Sequence, residues 1–218
     1  ISDVWKLHKL GDEVVKALVA AELQVMPGEF VCLMGPSGSG KSTLLNIIGG
    51  LDRPTKGTVR IAGQDTARLS ESQFAALRHD TIGFIFQSYN LIPFLSAVEN
   101  VELPLMFEPY DRKSLRRRAT ELLELVGLSH RVHHQPTRMS GGEQQRTAIA
   151  RSLISSPTLV LADEPTANLD HRTGETVVRM LRDLCSTLGV TVVASTHDPT
   201  VADEASRVVR MQDGQIIN

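Results

Sequence analysis

One stretch of the sequence, VCLMGPSGSGKST over residues 31–43, constrains the fold more than any other. Four apolar residues run into a glycine-rich turn, and apolar residues recur at helical spacing over residues 41–51, so the stretch predicts a buried strand, a loop and a helix. Gly35, Gly40, Lys41 and Ser42 fit the spacing G-x-x-x-x-G-K-[ST] of a loop whose backbone N–H groups surround a phosphate. The sequence therefore predicts a phosphate-binding corner, to which the N-terminus of the helix adds its positive dipole.

The residues of this loop have separate predicted roles. Lys41 is expected to reach the β- and γ-phosphate oxygens, and Ser42 to give its hydroxyl to Mg²⁺. An ordinary strand–turn–helix corner is the alternative, and the apolar residues on both sides of the loop count against it. The residues predicted to contact nucleotide phosphates here are Gly35, Pro36, Ser37, Gly38, Ser39, Gly40, Lys41, Ser42 and Thr43.

Length and composition predict a soluble globular protein with no overall electrostatic attraction to nucleic acid. The chain has 218 residues, of which 41% are hydrophobic and 22% charged, and its net charge is −2. No stretch approaches the roughly 20 consecutive apolar residues of a membrane span. Cys32 and Cys185 lie in apolar runs without metal-ligand spacing, so we expect buried thiols in a reducing compartment.

Two carboxylates follow another apolar run, over residues 158–162. Asp163 and Glu164 come where a parallel strand would deliver them to the carboxyl edge of a sheet. Asp163 is predicted to hold Mg²⁺ through its water shell and Glu164 to polarise an attacking water. The alternative is a buried strand that ends in an acidic turn. A further predicted strand, over 190–195, leads to His197, which is placed to reach a γ-phosphate.

Two further patterns, at Gln87 and at residues 140–142, are weak indicators of function when each is taken alone. Gln87 follows an apolar strand predicted over 82–86, and on its own a lone glutamine there is usually a surface amide. Ser140, Gly141 and Gly142 open a predicted helix, where free N–H groups and a hydroxyl form a second anion site. A simple capping turn is the alternative for this second pattern.

The remaining chain predicts a β-hairpin lobe facing the nucleotide base and a group of helices. A basic cluster in the helix over 111–127 predicts a solvated face, with contact to anionic lipid headgroups as the alternative, and it has no interleaved aromatics for nucleic acid. The other predicted elements are strands at 1–10 and 14–25, broken at Gly11–Asp12, a strand at 58–62, a helix to residue 79 capped by Ser70 and Gln73, helices at 97–107 and 174–188, and strands at 207–211 and 215–217.

Taken in order, the motifs GPSGSGKST, Gln87 after its strand, SGGEQQR, LADEP, NLD and STHD resemble the nucleotide-binding subunit of an ABC transporter over nearly the whole chain. The resemblance implies an α/β P-loop NTPase fold, with a RecA-like core, an antiparallel β lobe and an inserted α-helical lobe. It divides a single domain, 1–218, into a core of residues 1–87 and 141–218 and a helical lobe of residues 88–140. It also implies ATP and Mg²⁺ as cofactors, ATP hydrolysis, and a head-to-tail homodimer with two ATP molecules at its interface.

The same resemblance implies roles for individual residues. Glu164 is expected to be the catalytic base, assisted by His197 and Lys41, and Ser42, Gln87 and Asp163 are expected to form the Mg²⁺ shell. Each ATP would also contact Ser140, Gly141, Gly142 and Glu143 of the opposite subunit, and Asp170 would contact that subunit. His8 occupies the position of the aromatic residue that stacks on adenine, which leaves the base contact weak. Met139 replaces the usual leucine, a swap that conserves volume.

The resemblance also implies partners and a location. Integral membrane permease subunits would dock near residues 87–100, which places the chain peripherally on the cytoplasmic face of the membrane. The motifs IGGLD, SGGEQQR and LADEPTANLD are most similar to the lipoprotein-release, macrolide-efflux and FtsE-type branch. A DNA-repair or chromosome ATPase would need sustained heptads or a zinc hook, and a non-hydrolysing regulator would not need both Glu164 and His197.

Overall fold

The computed structural model describes residues 1–11 and 13–217, apart from the side chain of Leu10. Runs of strands begin the chain, and helices and strands alternate only from residue 141 to residue 212. The strands are β1 Ser2–Leu10, β2 Glu13–Ala21, β3 Phe30–Met34, β4 Lys56–Thr58, β5 Arg60–Ile61, β6 Gln64–Asp65, β7 Ile82–Ile85, β8 Leu159–Asp163, β9 Thr191–Thr196, β10 Arg207–Gln212 and β11 Gln215–Ile217. The α-helices are α1 Lys41–Ile48, α2 Glu71–Thr81, α3 Ala97–Glu102, α4 Arg112–Leu125, α5 Gly141–Ser152, α6 His171–Leu188 and α7 Pro199–Glu204.

A six-stranded sheet in the order β11-β10-β3-β9-β8-β7 forms the centre of the described chain. Its neighbours pair in parallel except β11, which pairs antiparallel with β10. Both faces of the sheet are covered, which explains why its strands are almost continuously apolar. Alternate residues of β3 enter different cores: Cys32 packs with the side of α5 and α6, and Leu33 packs with the side of α1 and the β1–β2 hairpin.

The β lobe is a three-stranded antiparallel sheet in the order β2-β1-β4. The predicted hairpin is confirmed, with the cross-strand pair Leu10 and Glu13 at its end, while Asp12 of the predicted break lies outside the described residues. The single strand predicted over 58–62 is wrong. Its residues divide between β4, which pairs with β1, and β5, which pairs with β6, because the two pieces find different partners.

Helix ends differ from the predictions where a cap decides them. Helix α1 stops at Ile48, three residues before the predicted end, because Gly50, the residue after the C-cap Gly49, adopts a left-handed backbone with φ 66°. Helix α6 begins at His171, three residues early, because the Asp170 side chain accepts from the Thr173 N–H. The helix predicted over 97–107 ends at Glu102 and continues as a 3-10 turn that contains a proline. Helix α7, which the prediction omitted, is capped by Asp198.

The three helices α3, α4 and α5 pack on the sheet through one continuous apolar cluster. Val98, Leu123 and Ile149 of these helices share that cluster with Ile85 and Val160 of the sheet. Helix α5 therefore joins residues 88–140 to the strands, and the predicted division of the chain into core and helical lobe stays a prediction. Within the described ranges, no helix combines the length and the apolar character that a bilayer crossing requires.

Candidate nucleotide-binding site

The carboxyl ends of three adjacent strands, β3, β9 and β8, bring the predicted motifs together. Residues 35–40, here called the phosphate loop, follow β3, while Asp163 and Glu164 come at the end of β8. The parallel register sets Met34 beside Thr196 and Asp163 beside Ser195. Residues more than a hundred positions apart in sequence therefore meet at one edge of the sheet, which is where open α/β sheets bind ligands.

The phosphate loop leaves polar groups without protein partners. The backbone φ is 81° at Gly38 and 98° at Gly40, and a Cβ on Gly40 would overlap with the carbonyl oxygen of Ala17, so a side chain is excluded there. No side chain caps the N-terminus of α1, and the buried Ser39 Oγ lacks a hydrogen-bond partner among the described residues. A bound phosphate would satisfy such donors, so this loop fits a nucleotide.

Lys41 lies buried across the phosphate loop. Its ammonium group donates to the carbonyl oxygens of Gly35 at 2.7 Å and Pro36 at 3.0 Å, and its Nζ lies 3.9 Å from Glu164 Oε1. The positive charge is thus held between the loop and the carboxylate after β8. Phosphate oxygens in the loop would lie within its field.

A hydroxyl and a carboxylate form the start of a metal site. Ser42 Oγ donates to Asp163 Oδ1 at 2.9 Å, and Ser195 Oγ donates to the same oxygen. Oxygen donors of this kind suit Mg²⁺. Gln87 comes shortly after the neighbouring strand β7. Its backbone carbonyl oxygen accepts a hydrogen bond from Asn168 Nδ2 at 2.8 Å. The structure brings Ser42 and Asp163 together, and the role of all three residues as Mg²⁺ ligands stays a prediction.

Glu164 sits in a strained and well-fixed position. Its backbone φ is 47°, in the left-handed region, and its N–H donates to Ser195 O at 3.0 Å. Its carboxylate lies 3.0 Å from His197 Nδ1 and accepts from Thr196 Oγ1 at 3.4 Å. The His197 side chain is 70% exposed, whereas that of Glu164 is 15% exposed. Strain of this kind concentrates at functional sites, and here it aims a carboxylate at the space beside Lys41.

The turn Ser140–Gly142, here called the signature turn, forms the start of α5. Across residues 1–11 and 13–217, no hydrogen bond or ion pair joins it to the phosphate loop. A Cβ on Gly141 would lie 3.0 Å from Tyr89 Oη, which places the turn beside the loop after β7. Glu143, predicted to contact nucleotide, turns its carboxylate towards Arg131 and the backbone of Ser140. Its contact with nucleotide stays a prediction.

Two other predicted contacts lie at the periphery. His8 is exposed on β1, where it pairs across the hairpin with Val15. Asp170 uses its carboxylate to cap α6, accepting from Thr173 N at 3.1 Å. The hydroxyl of Thr173, and after it this backbone bond, lowers the pKa of Asp170. The adenine role of His8 and the intersubunit role of Asp170 remain predictions.

Sequence reasoning missed the residue that holds the loop after β7. Arg151 of α5 is buried, and its guanidinium donates to Tyr89 O at 2.6 Å and to Asn90 O. Both of these loop residues have positive φ, 59° and 51°. A buried arginine in the apolar run AIARSLI was the available signal, because a buried guanidinium needs acceptors.

Asp198 and Cys32 complete the surroundings of the site. Asp198 accepts from Thr166 Oγ1 at 3.1 Å, which joins the turn after β8 to the turn after β9. Burial raises the pKa of Cys32 to about 12, with smaller contributions from the carboxylates of Glu164 and Asp198. Cys32 therefore stays a neutral thiol, as predicted. The prediction that Cys185 is also buried is wrong, because that side chain on α6 is only half-buried.

Comparisons with known proteins support the family that the motifs imply. A family model described as "ABC transporter" matches residues 18–167. An ABC transporter ATP-binding protein of Thermotoga maritima is 52% identical over 98% of this chain and 91% of that protein. The macrolide export protein MacB of Syntrophobacter fumaroxidans is 50% identical over 99% of this chain, which spans only 30% of MacB.

A solved relative has the same fold. The ATP-binding cassette MJ0796, from Methanocaldococcus jannaschii, superimposes with a TM-score of 0.92 at 46% identity, covering 100% of this chain and 95% of that chain. Its structures are described as dimeric, one of them in a post-hydrolysis state with ADP and Pi. The predicted P-loop NTPase fold is therefore confirmed.

Proposed function

This chain belongs to the ABC transporter family, and we propose that it is the subunit that binds and hydrolyses Mg-ATP to drive a membrane permease. The observation that carries the proposal is the meeting of Lys41, Ser42, Asp163, Glu164 and His197 at one edge of the sheet. Lys41 supplies a cation, Ser42 and Asp163 supply metal ligands, and Glu164 with its hydrogen-bond partner His197 supplies a base. Transfer of a phosphoryl group to water requires these groups.

Each residue has a definite task in this mechanism. The phosphate loop and the N-terminus of α1 bind the phosphates, and Lys41 leaves the carbonyl oxygens of Gly35 and Pro36 to contact them. Ser42 and Asp163, with Gln87, would hold Mg²⁺, which supplies charge neutralisation on the phosphates when bound. Glu164 accepts a proton from the attacking water, and His197 orients that carboxylate.

A second copy of the chain is needed to complete the site. The signature turn offers the N–H groups of a helix start, yet in the described part of the chain no hydrogen bond or ion pair joins it to the phosphate loop of the same chain. The dimeric structures of MJ0796 support a head-to-tail pair in which the signature turn of one copy faces the ATP of the other. ATP then acts as the bridge between the two chains.

A groove beside the loop after β7 supports a docking place for the permease. It has a volume of about 930 Å³ and extends from Asn90 to Tyr110, with Leu51, Phe84 and Phe86 in its apolar wall. Phe94 and Phe107 are exposed nearby in sequence, at 74% and 92%. Exposed apolar patches mark interaction surfaces, and the groove includes Asn90, which lies in the segment 87–100 that is predicted to meet the permease.

Peripheral attachment to the inner face of the membrane follows from docking to a permease. The similarity to MacB supports an amphiphilic cargo, in keeping with the branch to which the motifs are most similar. The cargo itself is selected on the permease.

The test of the proposed function is Glu164→Gln, which keeps the shape of the side chain and removes the base. We expect ATP binding to remain and hydrolysis to slow by at least ~100-fold, since a general base contributes about 10²–10⁴-fold. ATP should then hold the chain as a dimer, visible by sedimentation velocity. Glu121→Gln, on the exposed face of α4, is the matched control and should hydrolyse ATP at the parental rate. If Glu164→Gln, in protein free of contaminating ATPase, hydrolysed ATP at the parental rate, Glu164 would not be the catalytic base.

A further inference from the structure

We propose that Arg131 is a positioning residue that sets the geometry of the signature turn through Glu143. The inference rests on the proposed function, in which that turn contacts the ATP held by a partner copy. Arg131 itself lies in the 3-10 turn Ser129–Arg131 that follows α4. It is outside every motif that the sequence analysis used.

The contacts form a relay from Arg131 to the turn. Arg131 Nε donates to Glu143 Oε1 at 2.7 Å, and the other oxygen, Glu143 Oε2, accepts from the backbone N–H of Ser140 at 2.7 Å. In return, Ser140 Oγ accepts from the backbone N–H of Glu143 at 3.3 Å. The two carboxylate oxygens therefore have different partners, one on the preceding segment and one on the turn.

The relay keeps a sheltered carboxylate ionised and fixed. The Glu143 side chain is only 12% exposed, and the imidazole of His130, which is 63% exposed, lies farther away than Arg131, with Nε2 3.9 Å from Glu143 Oε1. Burial alone would raise the pKa of Glu143, but the bonds from Ser140 and Arg131 outweigh it and lower that pKa. Without Arg131 the carboxylate loses its close cation, and turning towards water would take Oε2 away from Ser140 N.

Arg131 is also well anchored, so it can act as a fixed reference. Its backbone N–H donates to Leu128 O at 2.9 Å, and its carbonyl oxygen accepts from His134 N at 2.8 Å. Leu128 is completely buried in the cluster that joins the helices to the sheet. The start of α5 is thus fixed to the end of the α4 segment by a charged pair rather than by packing alone, and the pair sets where the N–H groups of the signature turn point.

The experiment uses the full chain in the Glu164→Gln background, so that ATP-driven dimerisation is measured without turnover. Arg131→Met removes the donor and keeps most of the stem, Arg131→Lys keeps a charge, and Glu143→Gln keeps an acceptor for Ser140 N. Arg117→Met is the matched control, because Arg117 is 75% exposed on α4. For each variant, sedimentation velocity gives the ATP concentration at half-maximal dimerisation, and titration of dilute monomer gives the ATP Kd.

We expect Arg131→Met to raise the ATP concentration for half-maximal dimerisation by about 10-fold, the change expected for one charge-assisted hydrogen bond. The monomer Kd should change less than 2-fold, and Arg131→Lys should recover part of the loss. Arg131→Met combined with Glu143→Gln should dimerise no worse than Arg131→Met alone, because both changes break one relay. Unchanged dimerisation in Arg131→Met would overturn the proposal, and so would equal losses in dimerisation and monomer ATP binding.

Hydrogen exchange separates this inference from the proposed function. In nucleotide-free monomer, Arg131→Met should speed amide exchange in a peptide covering residues 139–150 and leave a peptide covering residues 191–212 unchanged. If the Glu164→Gln parent failed to dimerise with ATP, the proposed function would be wrong, while the exchange result would still decide the positioning role. Parental exchange in 139–150 would reject that role whatever the dimer does.

Discussion

Replacing Arg151 by methionine tests whether one buried guanidinium holds the loop that joins the catalytic edge to the docking groove. The side chain donates to the carbonyl oxygens of Tyr89 and Asn90, and its methylene stem lies in the interior. Methionine keeps a similar stem and removes both bonds. The loop should lose its fixed conformation, because two consecutive residues there have positive φ.

The size of the effect follows from these contacts. Two hydrogen bonds from a charged donor contribute roughly 3–6 kcal/mol together. Part of this is offset, because burial lowers the pKa of Arg151 and removing a buried charge relieves its desolvation. The Asn90 carbonyl can also regain water, since that residue is exposed. A net loss of about 2–3 kcal/mol remains, which for a chain of this size lowers Tm by about 4–12 °C.

Urea unfolding and thermal melting of Arg151→Met would measure this loss. Arg151→Lys should fall between parent and methionine, because an ammonium group cannot span both carbonyl oxygens as a guanidinium does. Arg112→Met, at an exposed position at the start of α4, is the control and should stay within about 0.5 kcal/mol of the parent. A change below 0.5 kcal/mol in Arg151→Met would refute the view that this residue holds the loop.

Two further predictions concern recognition of the adenine ring and the histidine that lines the docking groove. His8 is exposed and offers a smaller aromatic surface than tyrosine, so we expect the Kd values for ATP and GTP to differ by less than ~100-fold (about 2.7 kcal/mol). Titration measures both values, and a stronger preference for ATP would show that another residue recognises adenine. The hydrogen bond that the His79 imidazole donates to Asp80 Oδ1, with a further bond to Pro104 O, raises the pKa of His79. Since the raised pKa belongs to the folded state, the stabilisation is complete below the ordinary value of about 6.5 and is lost as pH rises through the raised pKa. The Tm difference between parent and His79→Gln should therefore be larger at pH 5.5 than at pH 9, and an equal difference would contradict this assignment.

Local signals in the sequence predicted local structure well. The capping box at Ser70 and Gln73 is present, because both of its bonds lie within four residues. The positions of Asp163, Glu164 and His197 at strand ends also followed from apolar runs. Such runs mark a parallel sheet, and a parallel sheet aligns its carboxyl ends.

Contacts between distant segments were outside the reach of the sequence. The bonds of Arg151 to residues 89 and 90 depend on how α5 packs against β7, which no periodicity encodes. The division of residues 58–62 between two sheets depends on the strands that lie alongside. The sequence around Asp170 is compatible with an intersubunit contact and with a helix cap. The structure shows the capping bond, because Thr173 N lies within hydrogen-bond distance of the Asp170 carboxylate.

The central place of β3 has a consequence for biosynthesis. Both neighbours of this strand in the sheet, β9 and β10, are made only after residue 190, and the acceptor of the Phe30 N–H, Ser206 Oγ, follows 176 positions later. Apolar residues 30–34 must therefore remain unpaired while most of the chain is synthesised, a situation that slows folding and exposes the nascent chain to aggregation. During that interval nucleotide has no formed phosphate loop to bind, because β3, which leads into the loop, has not yet paired with the other strands of the sheet. Nascent chains stalled with residues 191–212 still inside the ribosomal exit tunnel, and chains stalled on a C-terminal extension that places those residues outside it, should differ sharply in protease resistance.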